Sequence, residues 1–483
     1  MTCHMAVRFA SLVVPVFVLG CVSPAPAADR TISIAEALLR ATPGVVLVTT
    51  EVAAKVRLDC GRGTTTVEPP PYRETGTGWF IDSRGWVITN GHVVQAAYET
   101  PRWLVNQQAQ RAVTVACLPK ALERAGLIPG ERPDREDAVR RKVLDRVLPT
   151  AKVTLEPRIV ILVQNGAEAR AEVAKYGPPF RAEPGDAMSA RDLAVLKIPG
   201  DNFPVLRLAG SKPVQVGDTI HIIGYPAVVL QHELLDQSGP MAPSVTKGTV
   251  SGFQKDKNNH PLIQTDASAA WGNSGGPAVD DRGTVVGVLT YVSVTPGPEG
   301  SIVQGFNFVI PSDAVKTFIR DRPINLESIG KFNPIWYAAL RAFFTDDWKG
   351  AVRQFEQADT LVSGLPDVTR MLGEAREKVK NPPPRPFPWF WVALGVTLVS
   401  AGGYGAQLYI RWQRNRYRVR PADVIRLMEA GQQPVLLDIR KTEEYEKVPL
   451  RLPGSVRLAP EEFETGAAGL ELEPTRPIVA YCT

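Results

Sequence analysis

Cysteine is scarce in this 483-residue sequence, which has only five, and no two of them form a Cys-x-x-Cys pair. Such a chain is not a disulfide-dense scaffold, and the missing pairs argue against a structural zinc site. A charge excess is lacking as well, because 55 Lys and Arg residues against 50 Asp and Glu leave a net charge of only +5. That balance gives no case for a dedicated nucleic-acid binder. The 44% of apolar and 22% of charged residues indicate a folded protein, and the length predicts two or three domains.

Long uncharged apolar runs are rare too, and the first lies at the N-terminus. Arg8 precedes the run 9–20, which is too short to span a bilayer and is typical of a secretory signal peptide, predicted over residues 1–28. Two processing outcomes stay open. Residues 18–21 (VLGC) resemble a bacterial lipobox, which would leave a lipidated Cys21, whereas Ala-Pro-Ala at 25–27 resembles a cleavage site that would release an unlipidated chain.

The second apolar run, residues 389–410, contains no charged residue and has aromatic residues at both ends. About 20 apolar residues cross a bilayer core, so this run predicts a transmembrane helix. Residues 411–420 carry five arginines, which places the C-terminal side in the cytoplasm by the positive-inside rule. The export signal places the preceding residues on the other side. The expected location is therefore the bacterial inner membrane, crossed once, with the N-terminal part in the periplasm.

Between these runs, residues 29–322 alternate short β-branched stretches with Gly, Asp, Asn and Pro, which is typical of an all-β barrel or sandwich. Residues 118–149 break the alternation, because three valines at 139, 143 and 147 repeat at helical spacing. We expect a helical insertion there, with Asp134 as the N-cap of its helix.

Residues 323–381 repeat apolar side chains at helical spacing on either side of a break at residues 345–347. The pattern resembles a single tetratricopeptide-type helical hairpin, and an ordinary helical spacer is the alternative. One hairpin cannot bury its own apolar face, so it would pack on the β domain, the membrane or a partner. A proline-rich linker, residues 382–388, leads into the apolar run.

The run 271–277, Trp-Gly-Asn-Ser-Gly-Gly-Pro, carries the most chemical information. A serine between glycines suits a nucleophile, because small neighbours let a substrate carbonyl approach. The backbone N–H groups of Gly272 and Ser274 would point at the developing oxyanion. The run also satisfies the G-x-S-x-G elbow of α/β-hydrolases, but that fold needs its His after its Ser, and this sequence has none after His260.

A nucleophilic serine needs a histidine base and a carboxylate, and four of the five histidines are poor candidates. His4 lies in the predicted signal peptide. His232 begins HELLD, which lacks the second His of a zinc protease helix. His221 sits within an apolar strand, and His260 lies in a polar turn.

His92 is the remaining histidine, at the end of the strand–turn run TGWFIDSRGWVITNGHVV. Asp192 lies at the mouth of the apolar strand RDLAVLKI, and Ser274 follows it. The order His, Asp, Ser is that of chymotrypsin-type enzymes.

The blocks TGWFIDSRGWVITNGHVV, RDLAVLKI, IQTDASAAWGNSGGPAV and GFNFVIP resemble, in order over residues 76–317, the signature blocks of HtrA/Deg serine proteases. The resemblance implies two six-stranded antiparallel β-barrels with the site between them. It implies that His92 is the general base, that Asp192 orients it, that Ser274 attacks, and that Gly272 and Ser274 bind the oxyanion. The function implied is a serine endopeptidase acting on protein or peptide substrates, unfolded proteins among them. It needs no metal or organic cofactor and does not act on nucleic acid, and a homo-oligomer is a further expectation, since HtrA relatives are often trimers.

The sequence departs from the HtrA pattern in several places. The insertion separates His92 from Asp192 and would cover the cleft or act as a lid, and no PDZ domain is recognisable. Trp271 precedes the oxyanion loop in place of a small residue or Pro. Ser268, six residues before the nucleophile, disfavours a basic P1 residue, and the strand containing Val288 and Leu289 suggests a small or aliphatic one. Cys60 and Cys117 would lie in an oxidising compartment and could pair.

Residues 411–483 resemble part of a cytoplasmic rhodanese domain, with a helix, a strand over 435–439 and a final strand that reaches Cys482. In that family the cysteine carries a persulfide in a loop of backbone N–H donors. That loop is missing after Cys482 and the HIPGA-like turn is altered, so the segment is either a fragment or degenerate, and sulfur transfer is not expected of it.

Two alternatives to a peptidase remain. The first is a catalytically silent pseudoprotease scaffold that binds partner proteins, with Trp271 and the insertion closing the site. The second is a sulfurtransferase with a sensory outer domain, which would require persulfide formation on Cys482.

Overall fold

The computed structural model describes residues 32–61, 63–179, 191–210, 214–230, 242–294, 302–384, 387–464, 473 and 475–482. The predicted signal peptide, with His4 and Cys21, lies outside the described residues, as does His232. The chain divides into two compact units, Met1–Pro383 and Pro384–Thr483, which are described separately below.

The first sheet of the N-terminal unit has eight strands, in the order β6-β5-β1-β3-β4-β8-β7 with β2 paired to β1. Side chains on β1 are alternately buried and more exposed from Val52 to Leu58, because successive residues of a strand point to opposite faces. Among the described residues β6 and β7 do not pair, so this sheet is open where a closed barrel was expected. The strands are β1 (Val45–Asp59), β2 (Thr64–Val67), β3 (Tyr72–Asp82), β4 (Trp86–Thr89), β5 (Lys152–Leu162), β6 (Glu168–Arg170), β7 (Glu172–Gly177) and β8 (Leu193–Lys197).

The second sheet is a closed barrel of six strands in the order β10-β11-β14-β13-β12-β9, as expected. Apolar side chains such as Ile222, Ile263 and Leu289 form a core within it, and a second core joins barrel residues such as Val288 to Trp79 of the first sheet. The mainly β fold class is confirmed. The strands are β9 (Thr219–Gly224), β10 (Ser244–Lys255), β11 (Pro261–Thr265), β12 (Pro277–Val279), β13 (Val285–Val294) and β14 (Ile302–Pro311).

Helices precede the first sheet, are inserted within it and accompany the barrel. A helix begins the described chain, a short helix carries the end of the first catalytic block, and three helices form the insertion. Two more follow strands β9 and β14. They are α1 (Ile34–Ala41), α2 (Gly91–Tyr98), α3 (Arg102–Ala116), α4 (Leu118–Arg124), α5 (Pro133–Val147), α6 (Ala227–Leu230) and α7 (Ser312–Ile319), with 3₁₀ turns at Thr42–Gly44 and Leu148–Thr150.

The insertion is larger than expected from residues 118–149 alone. It begins with α3 at Arg102, a helix whose mixed polar and apolar surface gave no clear period in the sequence. The prediction that Asp134 caps the last helix is wrong: α5 begins at Pro133, a residue pre-organised for the first helical position, and Arg132 occupies the N-cap. The structure pairs Cys60 with Cys117, whose Cα atoms lie 5.4 Å apart, so a disulfide joins the end of β1 to the α3–α4 junction.

The segment after the barrel has three helices, not the two of a single hairpin: α8 (Phe332–Phe343), α9 (Trp348–Leu361) and α10 (Pro366–Lys380). They pack on the first sheet, which was one of the three surfaces expected to cover them. Trp336 is fully buried against this sheet, and its indole N–H donates to the Leu39 carbonyl at 2.8 Å. Asn333 makes two hydrogen bonds with the backbone of Val205, which fixes α8 to the loop after β8.

The C-terminal unit contains one long helix and a small parallel sheet. The helix is long and apolar enough to cross a membrane, by length and composition, and it extends five residues beyond the predicted end at residue 410. The sheet has the order β16-β15-β17, and Asp438 and Arg440 form a buried ion pair at the end of its central strand. Cys482 follows the last strand and is exposed. The elements are α11 (Trp389–Asn415), α12 (Pro421–Glu429), β15 (Val435–Asp438), α13 (Thr442–Lys447), β16 (Val456–Arg457), α14 (Pro460–Glu464) and β17 (Ile478–Tyr481).

Candidate active site

His92 lies in the first turn of α2, directly after strand β4. Asn90 is the N-cap of this helix, and its amide donates to the Asp192 carbonyl at 2.8 Å. The His92 ring nitrogen Nδ1 lies 3.0 and 2.9 Å from the two carboxylate oxygens of Asp192. The backbone N–H of His92 donates to the same carboxylate at 2.9 Å. These contacts leave Nε2 as the nitrogen that can accept a proton from a nucleophile.

Asp192 is buried, with 2% of its surface exposed, directly before β8. Its φ of +46° lies in the left-handed region, which non-glycine residues adopt at a cost and which is typical of functional sites. Its N–H donates to the Pro178 carbonyl, and its Oδ2 accepts a hydrogen bond from the Thr290 hydroxyl. The carboxylate is thus held by donors from α2 on one side and from β13 on the other.

Ser274 lies in the turn before β12, on the barrel side of the site. Gly272 in this turn has a φ of +96°, and a Cβ there would collide with the Tyr225 carbonyl, so a side chain does not fit. Thr77 of β3 fixes the turn to the first sheet: its N–H donates to the Ser274 carbonyl at 2.8 Å, and its hydroxyl donates to the Gly272 carbonyl at 2.7 Å.

Two backbone N–H groups in this turn are available for an oxyanion. In the part of the chain that the structure describes, neither Gly272 nor Ser274 uses its N–H in a hydrogen bond. The carbonyl of Trp271 accepts from the Ala227 N–H at 2.6 Å and is therefore occupied away from the turn. Paired N–H donors in such a turn can stabilise negative charge on a reacting carbonyl oxygen.

The Ser274 hydroxyl donates to the Thr290 carbonyl at 3.2 Å. Thr290 therefore contacts both Ser274, through its carbonyl, and Asp192, through its hydroxyl. The structure pairs His92 with Asp192 and brings Ser274 to the residue that binds Asp192, but among the described residues it shows no hydrogen bond between His92 and Ser274. Catalytic hydrogen bonds are often long or misaligned without substrate.

Electrostatics favour the charged form of His92. Burial lowers the pKa of this imidazole, but the charge and hydrogen bond of Asp192 and the charge of Glu74 outweigh it, so the pKa is raised above its usual value. Glu74 is itself a partly buried carboxyl, and burial raises its pKa. The Tyr72 hydroxyl donates to Glu74 at 2.9 Å.

Sequence reasoning did not identify Thr77, Thr290 or Glu74. Strand alternation places residues 72, 74 and 76 on one face of β3, but only the structure shows that this face, at Gly76, meets Val93 and the Ser274 carbonyl. No comparable signal marks Thr290, which lies in an apolar strand among residues of similar propensity.

The two other described histidines make structural pairs, as the sequence indicated for His221. Nε2 of His221, a buried residue, lies 2.9 Å from Asp281, and Nδ1 of His260 lies 2.8 Å from Asp256 within its own turn. In the described ranges no group of three or more His, Cys, Asp and Glu side chains is placed to hold a metal ion.

The strand residues Val288 and Leu289, from which a small or aliphatic P1 residue was expected, do not lie in a pocket. Val288 and Leu289 are 0 and 1% exposed and pack inside the two barrel-side cores, so neither side chain lines an open pocket. Ser268 is exposed, and its carbonyl accepts from the Thr246 hydroxyl at 2.7 Å. Trp271 is 61% exposed beside the nucleophile turn.

Residues 76–288 match the family model of the trypsin-like peptidase domain. The chain is 31% identical over 150 residues to the mitochondrial serine protease HTRA2 of Drosophila willistoni, covering 30% of each chain. It is 35% identical over 125 residues to a probable periplasmic serine endoprotease, DegP-like, of Pseudomonas putida (strain GB-1), covering 25% of this chain and 23% of that one. The chain thus spans less than a third of the length of these curated relatives. The solved HtrA-type protease AlgW with tripeptide is 22% identical, with 60% of this chain and 63% of that chain covered and a TM-score of 0.33.

Proposed function

We propose that this chain, whose residues 76–288 match the trypsin-like peptidase domain and are similar in sequence to HtrA-type proteases, is a serine endopeptidase that cleaves proteins or peptides. The observation that carries the proposal is the set of contacts around Asp192. This carboxylate pairs with His92 and binds Thr290, which in turn binds Ser274. The serine endopeptidase class expected from the sequence blocks is supported by the named relatives, which are serine proteases.

Catalysis begins with a rotation of the Ser274 side chain. Its hydroxyl leaves the Thr290 carbonyl and donates to Nε2 of His92, which takes the proton as Oγ attacks the scissile carbonyl. Asp192 holds the ring through Nδ1 and stabilises the imidazolium that forms. The Gly272 and Ser274 N–H groups bind the oxyanion, and protonated His92 then donates its proton to the leaving amine as the scissile C–N bond breaks. A water molecule that gives a proton to His92 then attacks the acyl-serine, and Oγ of Ser274 leaves with the proton that His92 returns.

The proposed location is the bacterial inner membrane, crossed once, with the peptidase in the periplasm. Helix α11 carries aromatic residues at its start and arginines after its end, which suits a span whose C-terminal side is cytoplasmic. The relative from Pseudomonas putida is named as periplasmic, which agrees with an exported peptidase domain. In this arrangement residues 323–381 follow the peptidase domain, and residues 382–388 form the linker to helix α11.

A pseudoprotease scaffold is the second candidate, and one observation favours it. The Ser274 hydroxyl is engaged by the Thr290 carbonyl at 3.2 Å, and Trp271 stands exposed beside the turn. If that hydroxyl stays bound to Thr290, the site keeps its shape but has no activated nucleophile.

A fluorophosphonate probe separates the two candidates, because it reacts only with an activated serine. We expect labelling of the wild-type chain and none of Ser274→Ala. Ser268→Ala is the matched control, because Ser268 is an exposed serine six residues away, and it should label as the wild type does. Labelling that persists in Ser274→Ala would overturn the assignment of the nucleophile, and a folded wild-type chain that never labels would favour the scaffold.

A further inference from the structure

A cavity of about 410 Å³ lies within the insertion, away from the residues of the proposed active site. Helices α4 and α5 form its two sides, and the Cys60–Cys117 disulfide lies at its end. The disulfide ties the α3–α4 junction to the end of β1, so a covalent bond fixes one end of the cavity. Its size falls in the range of small-molecule sites.

Four cations line this cavity, in two pairs one helical turn apart. Lys120 and Arg124 lie on α4, and Lys142 and Arg146 lie on α5. No carboxylate lines the cavity, and in the part of the chain that the structure describes none of the four takes part in an ion pair. All four cationic side chains are exposed, and the carboxylates nearest to them along the helices, Glu123 and Asp145, do not line the cavity. The charged side chains that line the cavity are therefore all positive, which favours an anionic ligand.

The rest of the cavity is apolar. Val139, Val143 and Val147 form a stripe on α5, and Ala121 and Ala125 lie opposite on α4. Among the described residues no Ser, Thr, Asn, Gln or aromatic side chain lines the cavity, and the helix backbones use their own N–H and C=O groups. The amide groups of a bound peptide would therefore lose water without gaining partners, which is costly. A hydrocarbon body has no such cost.

We propose that this cavity binds a single-chain anionic amphiphile, with a carboxylate or phosphate headgroup among the four cations and its hydrocarbon body along the valine stripe. The site does not depend on the proposed peptidase activity. A free fatty acid and a lysophospholipid both have an anionic headgroup and one hydrocarbon chain, so both fit the cavity. The experiment below distinguishes between them.

The test uses the full chain carrying Ser274→Ala, in phosphatidylcholine nanodiscs, with empty nanodiscs as background. A photoactivatable dodecanoate and a photoactivatable lysophosphatidate are cross-linked in turn, and the labelled peptides are mapped by mass spectrometry. We expect cross-links in α4 and α5 that unlabelled dodecanoate displaces and the neutral dodecyl maltoside does not. The probe that labels more strongly at equal concentration identifies the source of the headgroup. Added salt should reduce the labelling, because exposed charges are screened.

The double variant Lys142→Gln/Arg146→Gln should reduce the labelling about tenfold, since it removes half of the headgroup contacts. The matched control is Arg132→Gln/Arg135→Gln, an exposed basic pair at the start of the same helix α5 that does not line the cavity, which should label as the parent does. Both pairs are on the surface, so both variants should fold.

Three outcomes would overturn the proposal: labelling of α4 and α5 that is unchanged in the Lys142/Arg146 variant, equal displacement by the neutral amphiphile, or labelling confined to α11. Displacement by inorganic phosphate alone would replace the amphiphile with a simple anion. Stronger displacement by an acidic peptide than by dodecanoate would replace it with a protein partner.

Discussion

The open sheet that carries His92 and Asp192 and the closed barrel that carries Ser274 bury their strands in different ways. The barrel fills its interior with its own side chains, such as Ile222, Ile263 and Leu289. The open sheet has no such closure, and helices α8–α10 cover one of its faces with Trp336 at the centre. The sheet that carries His92 and Asp192 therefore packs against helices α8–α10, which lie outside the matched residues 76–288. Ser274 belongs to the closed barrel, whose core is its own.

The first sheet contains one His–Asp pair and the barrel contains two, and only His92–Asp192 is proposed to be catalytic. Asp192→Asn should lower kcat about ten-thousand-fold, because an amide can neither hold the required tautomer nor stabilise the imidazolium. Asp281→Asn is the control in the barrel, where His221 makes the same kind of contact at 2.9 Å, and its kcat should stay near that of the wild type. Peptidase assays on a denatured protein substrate measure both. Equal losses in the two variants would show that the pairs serve the fold and not the reaction.

The helical cover of the open sheet should be worth several kcal/mol. Trp336→Ala should lower the free energy of unfolding by about 3–5 kcal/mol, the range for removing a large buried aromatic side chain. Hydrogen exchange should then accelerate in β1, β3 and β4, and the corresponding change in the barrel, Leu289→Ala, should accelerate exchange in β9–β14. Urea unfolding and exchange measured by mass spectrometry test this. If each variant loosens both sheets alike, the shared core between them makes the two halves one cooperative unit.

Thr290 connects the two halves at the site itself. Thr290→Val should reduce kcat/KM about ten- to hundredfold, because Asp192 loses a buried hydrogen-bond donor while the shape of the side chain is kept. Thr290→Ser retains the hydroxyl and should recover most of the activity, with the thermal midpoint showing that both variants are folded. An impaired Thr290→Ser would mean that the methyl packing matters and the hydrogen bond does not.

The smallest effect is expected from Glu74, which acts on His92 by charge. Ionised Glu74 raises the pKa of His92, so Glu74→Gln should lower that pKa and move the acidic limb of the kcat/KM profile to lower pH. Tyr72→Phe removes a hydrogen bond that lowers the pKa of Glu74, so more of Glu74 is protonated and the limb should shift the same way by less. The acidic limb is measured in buffers of constant ionic strength. A shift to higher pH in either variant would contradict the assigned sign.

The candidate site could be predicted from sequence to the extent that its residues lie in distinctive local patterns. His92, Asp192 and Ser274 each end or open a strand within a recognisable block. The short β-branched runs predicted a barrel or a sandwich, and only the resemblance to HtrA/Deg proteases implied closed barrels. Thr290 and Thr77 could not be found this way. Their contacts join residues up to 195 positions apart, and nothing in their own neighbourhoods distinguishes them from strand residues.

The extent of the helical regions was also beyond the sequence. Helix α3 was missed because its apolar side chains pack on β1 and β5 in a pattern too irregular to show a period. Helix α10 was missed because a hairpin of two helices already explained the helical spacing of the apolar side chains that precede Pro366, where α10 begins. Tertiary packing, of α3 on strands β1 and β5 and of α10 on helix α9, and not the local pattern decided where each helical segment begins or ends.

By itself the sequence determined which residue types can do chemistry and the local elements that carry them, because glycine turns, strand periodicity and an uncharged apolar run are local properties of the chain. Only the tertiary structure decided that the first sheet stays open, that three helices cover it, that Ser274 rests on Thr290, and that four cations surround one cavity. Those features depend on side chains far apart in the chain competing for the same space and the same hydrogen bonds, and no local pattern records the outcome of that competition.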